Sequence, residues 1–286
     1  MKPLHLTVLG GANLDILGQS DRPLVLRDSN CGRVTVRPGG VGHNIAARLA
    51  GRGHQVALLT ALGTGSIADI METLCRREGV DLSHALHFDC PASTYLCLHD
   101  ADGDMHCAIN CMKPMEHLTP EALSPLLSLA QEADFCVADT NPRADTLAFF
   151  LENVTVPALV DPVSTFKAQR LMPLLQHVYA VKPNLMEAQS MTDEKRPKDA
   201  ARALLEKGVQ KVFISLGKDG VYYADASACG YMPALPLPAG APLTGAGDAL
   251  CAGLVEGLSQ RLPMAACAEL GVRCAHDALC ANLQSI

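Results

Sequence analysis

"LTGAGDALCAG", residues 243–253, sets one carboxylate, Asp248, directly behind Gly245, Ala246 and Gly247 and ahead of an apolar run that continues through "LVEGL". Small residues at a helix start leave the backbone N–H groups open to close approach, and those groups carry the positive end of the helix dipole. The stretch therefore predicts a helix that opens on an anion-binding turn. A carboxylate in a first turn is by itself a common complement to the dipole. Here the glycines around it and the apolar helix behind it would bury the turn and leave Asp248 facing the anion. A carboxylate so placed can take the proton from an attacking hydroxyl, which is the requirement of phosphoryl transfer.

Outward from that turn, the pattern from Thr119 onward is regular. It reads as a helix to Gln131, strand "FCVAD", a helix near Asp145 to Leu151, strands "PALVD", "VYAVKP" and "KVFISLG" with helices between them, and two closing helices. Such alternation predicts a three-layer α/β fold, a mostly parallel sheet with helices on both faces. Nearer the N-terminus, Leu4 to Leu9 and Gln55 to Leu62 read as strands, and Gly42 to Arg52 and Ile67 to Glu78 as helices. Two β-rich stretches, at about 14–37 and 87–110, fall outside the alternation, and the second has a hairpin tip at Asp102-Gly103. They are expected to form a small separate layer on one continuous domain spanning 1–286.

Composition narrows the partners. A net charge of -7 without long Lys/Arg runs argues against nucleic acid or a membrane surface and for small-molecule ligands. No apolar run approaches the roughly 18 residues of a membrane span, and "LHLTVLGGANLD" is broken before it could serve as a signal-peptide core. With twelve cysteines scattered through apolar segments and no C-x-x-C pair, the expectation is a cytoplasmic protein with reduced thiols. His99, His106, Cys107 and Cys111 fall on an expected strand pair whose side chains alternate between faces, which argues against a zinc site. "LGTGSIAD" imitates a dinucleotide fingerprint, but Asp81 precedes the next apolar run where that motif needs an acid to end it.

Ligands of open parallel sheets bind beyond the carboxyl ends of the strands. Polar residues stand there repeatedly: Asn13 and Asp15 in "GGANLD", Asn184 and Glu187 in "KPNLME", and Ser215, Gly217, Lys218 and Gly220 in "SLGKDG". "GGVGHN", with Gly39, Gly40 and Asn44, opens a helix. Plainer roles compete. Asn13 and Asp15 suit an Asx turn, Asn184 and Glu187 suit a reciprocal helix cap, and Lys218 suits a solvated turn.

In this order, "GGANLD", "GGVGHNIA", "KPNLMEA", "SLGKDG" and "TGAGDALCAG" resemble, over essentially the whole chain, the ribokinase-like (PfkB) carbohydrate and nucleoside kinases. "VDPVSTFKA" together with "GGVGHNIA" and "TYL" is most similar to the branch of that family acting on pseudouridine. The resemblance implies a ribokinase-like fold whose two β inserts form a lid, with ATP and Mg2+ as cofactors. It implies Asp248 as catalytic base and the amides of Gly245, Ala246 and Gly247 as an anion hole. Asn184 and Glu187 match the N-x-x-E motif that organises metal-bound waters and phosphates, with Asp161 supporting the metal shell. Ser215, Gly217, Lys218 and Gly220 fall where relatives bind the nucleotide. Asn13, Asp15, Gly39, Gly40 and Asn44 fall where they grip sugar hydroxyls, and Thr94 and Lys167 are expected to reach the acceptor.

The implied reaction is phosphorylation of the 5′-hydroxyl of a nucleoside, pseudouridine first. Another sugar or nucleoside kinase of the family, or a non-catalytic nucleoside-binding sensor, is the alternative. Pro242 stands where many relatives carry an acidic or amide residue tied to a monovalent-cation site, which argues against potassium activation. His43, titrating near neutrality, is expected to make substrate binding pH-sensitive or to cap its helix. The apolar face of "STYLCLH" would permit a homodimer through the lid.

Overall fold

Aliphatic and β-branched runs between turn residues form strands that are covered on both faces. In the computed structural model, which describes residues 2–238 and 244–283, the strands in chain order are β1 (His5–Leu9), β2 (Asn13–Ser20), β3 (Gly32–Gly39), β4 (Gln55–Leu59), β5 (Ala61–Thr64), β6 (Leu86–Pro91), β7 (Thr94–His99), β8 (Met105–Cys111), β9 (Phe135–Asp139), β10 (Ala158–Asp161), β11 (Ala180–Val181), β12 (Lys211–Ser215), β13 (Val221–Asp225) and β14 (Cys229–Met232). The main sheet has eight strands in the order β14-β13-β12-β11-β10-β9-β1-β4. The run from β4 to β12 is parallel, and β13 and β14 close one edge antiparallel. The carboxyl ends of β1, β9, β10, β11 and β12 therefore share one rim, as a parallel sheet requires.

The longer helices are α1 (Val41–Gly51), α2 (Ser66–Arg77), α3 (Ala144–Asn153), α4 (Leu185–Thr192), α5 (Pro197–Glu206), α6 (Ala246–Ser259) and α7 (Met264–Leu283). Side chains alternate along each strand between two cores. Phe135, Val137, Leu159 and Phe213 join Ile45 and Leu49 of α1 and Leu254 and Leu258 of α6. Cys136, Ala138, Val160, Val212 and Ile214 join Phe150 of α3 and Leu204 of α5 on the other face. Beyond α1, Arg52 Nε and Nη2 donate to Glu256 Oε1 and Oε2 at 2.6 and 2.7 Å, and His54 Nε2 lies 2.9 Å from Oε1. Glu256 is on α6, and it and His54 are buried while Arg52 is 37% exposed, so the cluster ties the end of α1 to α6. No helix among the described residues is long and apolar enough to cross a membrane.

A second sheet, ordered β3-β2-β7-β8, stands apart from the first, and β5 and β6 make a two-stranded pair. Three sequence expectations are corrected. The strand expected over Gln55 to Leu62 ends at Leu59, and the chain re-enters as β5 to pair with β6 outside the main sheet. The helix expected from Thr119 to Gln131 is cut into Pro120–Leu123, a 3-10 turn and Leu127–Gln131, because Pro125 cannot donate to the ladder. "VYAVKP" yields only the two residues of β11, since Pro183 lacks a donor and Asn184 already caps α4.

Candidate active site

Gly245 adopts φ 83°, ψ 0°, the left-handed conformation open to glycine, and caps α6. The first bond of that helix runs from Ala249 N to Gly245 O at 3.1 Å, so the N–H groups of Ala246, Gly247 and Asp248 have no intrahelical partner. Asp248, third in the helix, is half-buried beside them. Its Oδ2 accepts a 2.8 Å hydrogen bond from Asn44 Nδ2 on α1. Burial pushes the Asp248 carboxyl up to about 6, helped by the charge of Asp161, while the Asn44 hydrogen bond and the Lys182 charge oppose the rise.

Beneath the same turn lies Lys182, at the end of β11. Its Nζ is 2.8 Å from Asp161 Oδ2, and both side chains are about 5% exposed. Burial works against the Lys182 charge, and the Asp161 carboxylate more than offsets it, holding the ammonium firmly protonated. A Cβ placed on Gly247 would lie 3.3 Å from that nitrogen. Asp161 also accepts from Val163 N at 2.7 Å and from Cys251 Sγ at 3.4 Å, so both its oxygens are engaged by protein groups. Its place is thus an anchor for Lys182.

At the start of the second sheet, Asp15 Oδ1 accepts from Asn13 Nδ2 at 2.7 Å, and Arg37 Nε lies 3.5 Å from Asp15 Oδ2. The second sheet sets this contact by pairing Asp15 with Arg37 across β2 and β3. Gly39 lies so close that a Cβ would fall 2.4 Å from Asp15 Oδ1. Gly40, at φ 96°, caps α1, and a Cβ there would meet Gly11 O at 2.4 Å. Below them the buried carboxylate of Asp139 takes Gly11 N at 3.0 Å and Gly42 N at 2.8 Å on one oxygen. Asn141 adds two more bonds at 2.7 Å, and Lys167 Nζ donates to Asn141 Oδ1 at 2.5 Å. Asp15, Arg37, Asn44, Arg48, Gly245 and Asp248 line one cleft of about 570 Å³.

A second group of sequence-predicted residues stands at the ends of β11 and β12. Asn184 and Glu187 form the reciprocal cap: Glu187 N donates to Asn184 Oδ1 at 2.9 Å and Asn184 N to Glu187 Oε2 at 2.8 Å. Glu187 Oε1 makes no hydrogen bond among the described residues, and burial raises the carboxyl above its ordinary range. Ser215 N donates to Pro183 O at 2.9 Å, tying the end of β12 to this cap. Gly217 and Lys218 are exposed in the turn that follows, and a Cβ on Gly220 would fall 2.1 Å from Met232 O, so packing demands that glycine.

The model of the pfkB family carbohydrate kinases matches residues 4–281. The chain belongs to the pfkB family of carbohydrate kinases. It is 34% identical over 282 residues to the pseudouridine kinase of Escherichia coli (strain K12), covering 96% of this chain and 90% of that one. It is 31% identical over 278 residues to the uncharacterized sugar kinase YeiI of the same organism, with 95% and 77% covered. The ribokinase of Thermotoga maritima shares its fold, with a TM-score of 0.84 at 19% identity over 98% of this chain and 99% of that one. The protein is an ATP-dependent phosphotransferase with a ribokinase-like fold.

In this pfkB-family kinase, then, Asp248, Asn44, Gly245 and Asp15 meet in one cleft, Asn184, Glu187 and Ser215 meet beside β11, and Lys167 joins the Asp139 cluster. Thr94 donates to Ala92 O at 3.2 Å, and Lys218 makes no ion pair among the described residues. Pro242 lies outside the described residues. His43 is 1% exposed, with Nδ1 3.3 Å from Asn44 Oδ1 and Nε2 3.1 Å from Glu78 Oε2, the second an ion pair without an aligned hydrogen bond. Burial disfavours its charge, but Cys75 and Glu78 outweigh burial and push it up to about 9. Arg37, Arg48, Asp139 and Lys182 escape the sequence reading. Asp139 had a signal, as the acid that ends "FCVAD" at the ligand rim, and so did Lys182, at the strand end in "VYAVKP".

Proposed function

We propose that this kinase transfers the γ-phosphoryl group of ATP to the 5′-hydroxyl of a nucleoside, with pseudouridine as the preferred acceptor. The observation that carries it is the pairing of Asp248 with the open α6 turn: a carboxylate raised to about 6, held by Asn44, at a helix start where the amides of Ala246 and Gly247, like its own, have no intrahelical partner. The hydroxyl oxygen attacks the γ-phosphorus as Asp248 takes its proton. The amides of Gly245, Ala246 and Gly247 and the buried Lys182 charge stabilise the negative charge on the transferring group. Asp15, oriented by Asn13 and Arg37, accepts hydrogen bonds from vicinal ribose hydroxyls, and Gly39 and Gly40 let the sugar lie against backbone.

Asn184, Ser215 and the turn through Gly217, Lys218 and Gly220 receive the nucleotide. Mg2+ on the ATP phosphates would neutralise charge on the leaving group, and Glu187 is fitted to hold its waters, since one oxygen is left over from the cap. The second sheet serves as a lid over the acceptor and limits water in the closed site. Its face carries Val34, Val36, Leu96, Leu98 and Ile109, all exposed, which supports a homodimer through the lid. Light scattering at micromolar concentration should then give twice the chain mass, and Ile109→Lys should give the monomer.

Support for pseudouridine is the 34% identity to the bacterial enzyme that bears that name. A coupled assay of ADP release with pseudouridine, uridine, adenosine, inosine, ribose and fructose 6-phosphate tests it. Pseudouridine should give the highest kcat/KM, and a tenfold preference for any other acceptor would reject the assignment.

A further inference from the structure

Arg48 lies on α1 one helical turn after Asn44, so the two side chains share a face. Asn44 reaches Asp248, and Arg48 reaches the turn in front of it: its Nη2 lies 3.6 Å from where a Cβ on Gly245 would stand, with no other side chain within 4 Å of that point among the described residues beyond Gly245's two chain neighbours. Arg48 is half-buried in the cleft that holds Asp15 and Asp248, yet it makes no hydrogen bond or ion pair among the described residues. The neighbouring cations differ. Arg37 faces Asp15, Arg52 is spent on Glu256, and Lys182 is locked to Asp161. A guanidinium carries five donors and a permanent charge, and one held half out of water beside a helix N-terminus is suited to an anion.

We propose that Arg48 is a further catalytic residue of this kinase, binding the equatorial oxygens of the phosphoryl group as it passes from ATP to the acceptor; the assignment rests on the kinase reading above. The oxygen of the acceptor hydroxyl forms a bond to the γ-phosphorus, the bond from that phosphorus to the β–γ bridging oxygen breaks, ADP leaves with the electron pair, and the hydroxyl proton goes to Asp248. Arg48 keeps its protons throughout. It meets the transferring group from the acceptor side while the α6 amides and Lys182 meet it from below, so the charge of a loose transition state is enclosed on both sides.

The test compares wild type, Arg48→Ala and Arg48→Lys in steady-state kinetics and in calorimetric titration with MgADP plus aluminium fluoride, a planar mimic of the transferring group. Arg48→Ala should lower kcat about 10²- to 10³-fold with acceptor KM within about threefold. It should weaken fluoroaluminate binding by a comparable factor while leaving MgADP alone unchanged. Arg48→Lys should recover part of both and guards against a folding defect in the alanine variant. A kcat within about threefold of wild type, a loss confined to acceptor KM, or unchanged fluoroaluminate affinity overturns the proposal. If wild type turns over none of the acceptors, the functional reading fails by itself, and the fluoroaluminate titration still decides Arg48.

Discussion

Asp248 links activity and stability to one cause, its raised pKa, and both sides can be measured. A base must be ionised to work, so kcat/KM should rise with pH through an inflection near the value of about 6 that burial imposes. At pH 7 about nine-tenths of the enzyme would carry the charged base, and at pH 5 about one-tenth, a fall of about tenfold. The stability sign is opposite. A carboxyl whose folded pKa exceeds its unfolded one favours folding when protonated, so its ionisation destabilises the fold as pH climbs from about 4 to 6 and throughout the neutral range. From the ordinary value of 3.8 to about 6, the cost reaches about 3 kcal/mol at pH 7 as an upper limit, lessened by the water that reaches this half-buried group. Asp248→Asn removes the charge and keeps the shape. It should abolish turnover, leave ATP affinity intact and raise Tm by a few degrees at pH 7, with the gain vanishing near pH 4. Stopped assays across pH 5–8 and calorimetric melts at pH 4 and 7 supply both readouts. A flat kcat/KM over that range, or a variant less stable than wild type at pH 7, would refute the account of Asp248 as a desolvated base.

Three further expectations concern its neighbours. Lys182→Met should lower kcat steeply and destabilise the fold by about 3–5 kcal/mol, because it strands Asp161 in the interior, and the simultaneous change Asp161→Leu should restore much of the Tm but none of the activity. Glu187→Gln can still complete the helix cap, so Tm should hold within about 1 °C while the Mg2+ concentration for half-maximal rate rises; an unchanged Mg2+ dependence would leave Glu187 a cap alone. Glu256→Ala should cost about 2–4 kcal/mol in urea unfolding by leaving His54 buried without its partner, with the loss tempered because Arg52 is 37% exposed.

Much of the architecture was written in local patterns. "FCVAD", "PALVD" and "KVFIS" are continuous apolar runs, and each became a strand buried on both faces. The motifs that could be read were those with a backbone consequence: Gly40 and Gly245 stand where the chain takes a positive φ, and Asn184 with Glu187 caps a helix by spacing alone. What stayed hidden depends on contacts between distant segments. Arg37 reads as an ordinary exposed strand residue until β2 pairs with β3 and sets it across from Asp15. Lys182 sits at a strand end, and nothing local reveals that Asp161 of the neighbouring strand lies 2.8 Å away. The position was legible and the partner was not.

The shared oxygen of Asp139 has a mechanical consequence. Because one atom receives the N–H of both Gly11 and Gly42, the loop after the first strand and the start of α1 cannot slide past each other without breaking two buried bonds together. Gly11 and Gly42 therefore form a platform fixed to the main sheet through Asp139. Small ligands should alter hydrogen exchange in β2 and β7, beyond this platform, while the amides of Gly11 and Gly42 stay protected.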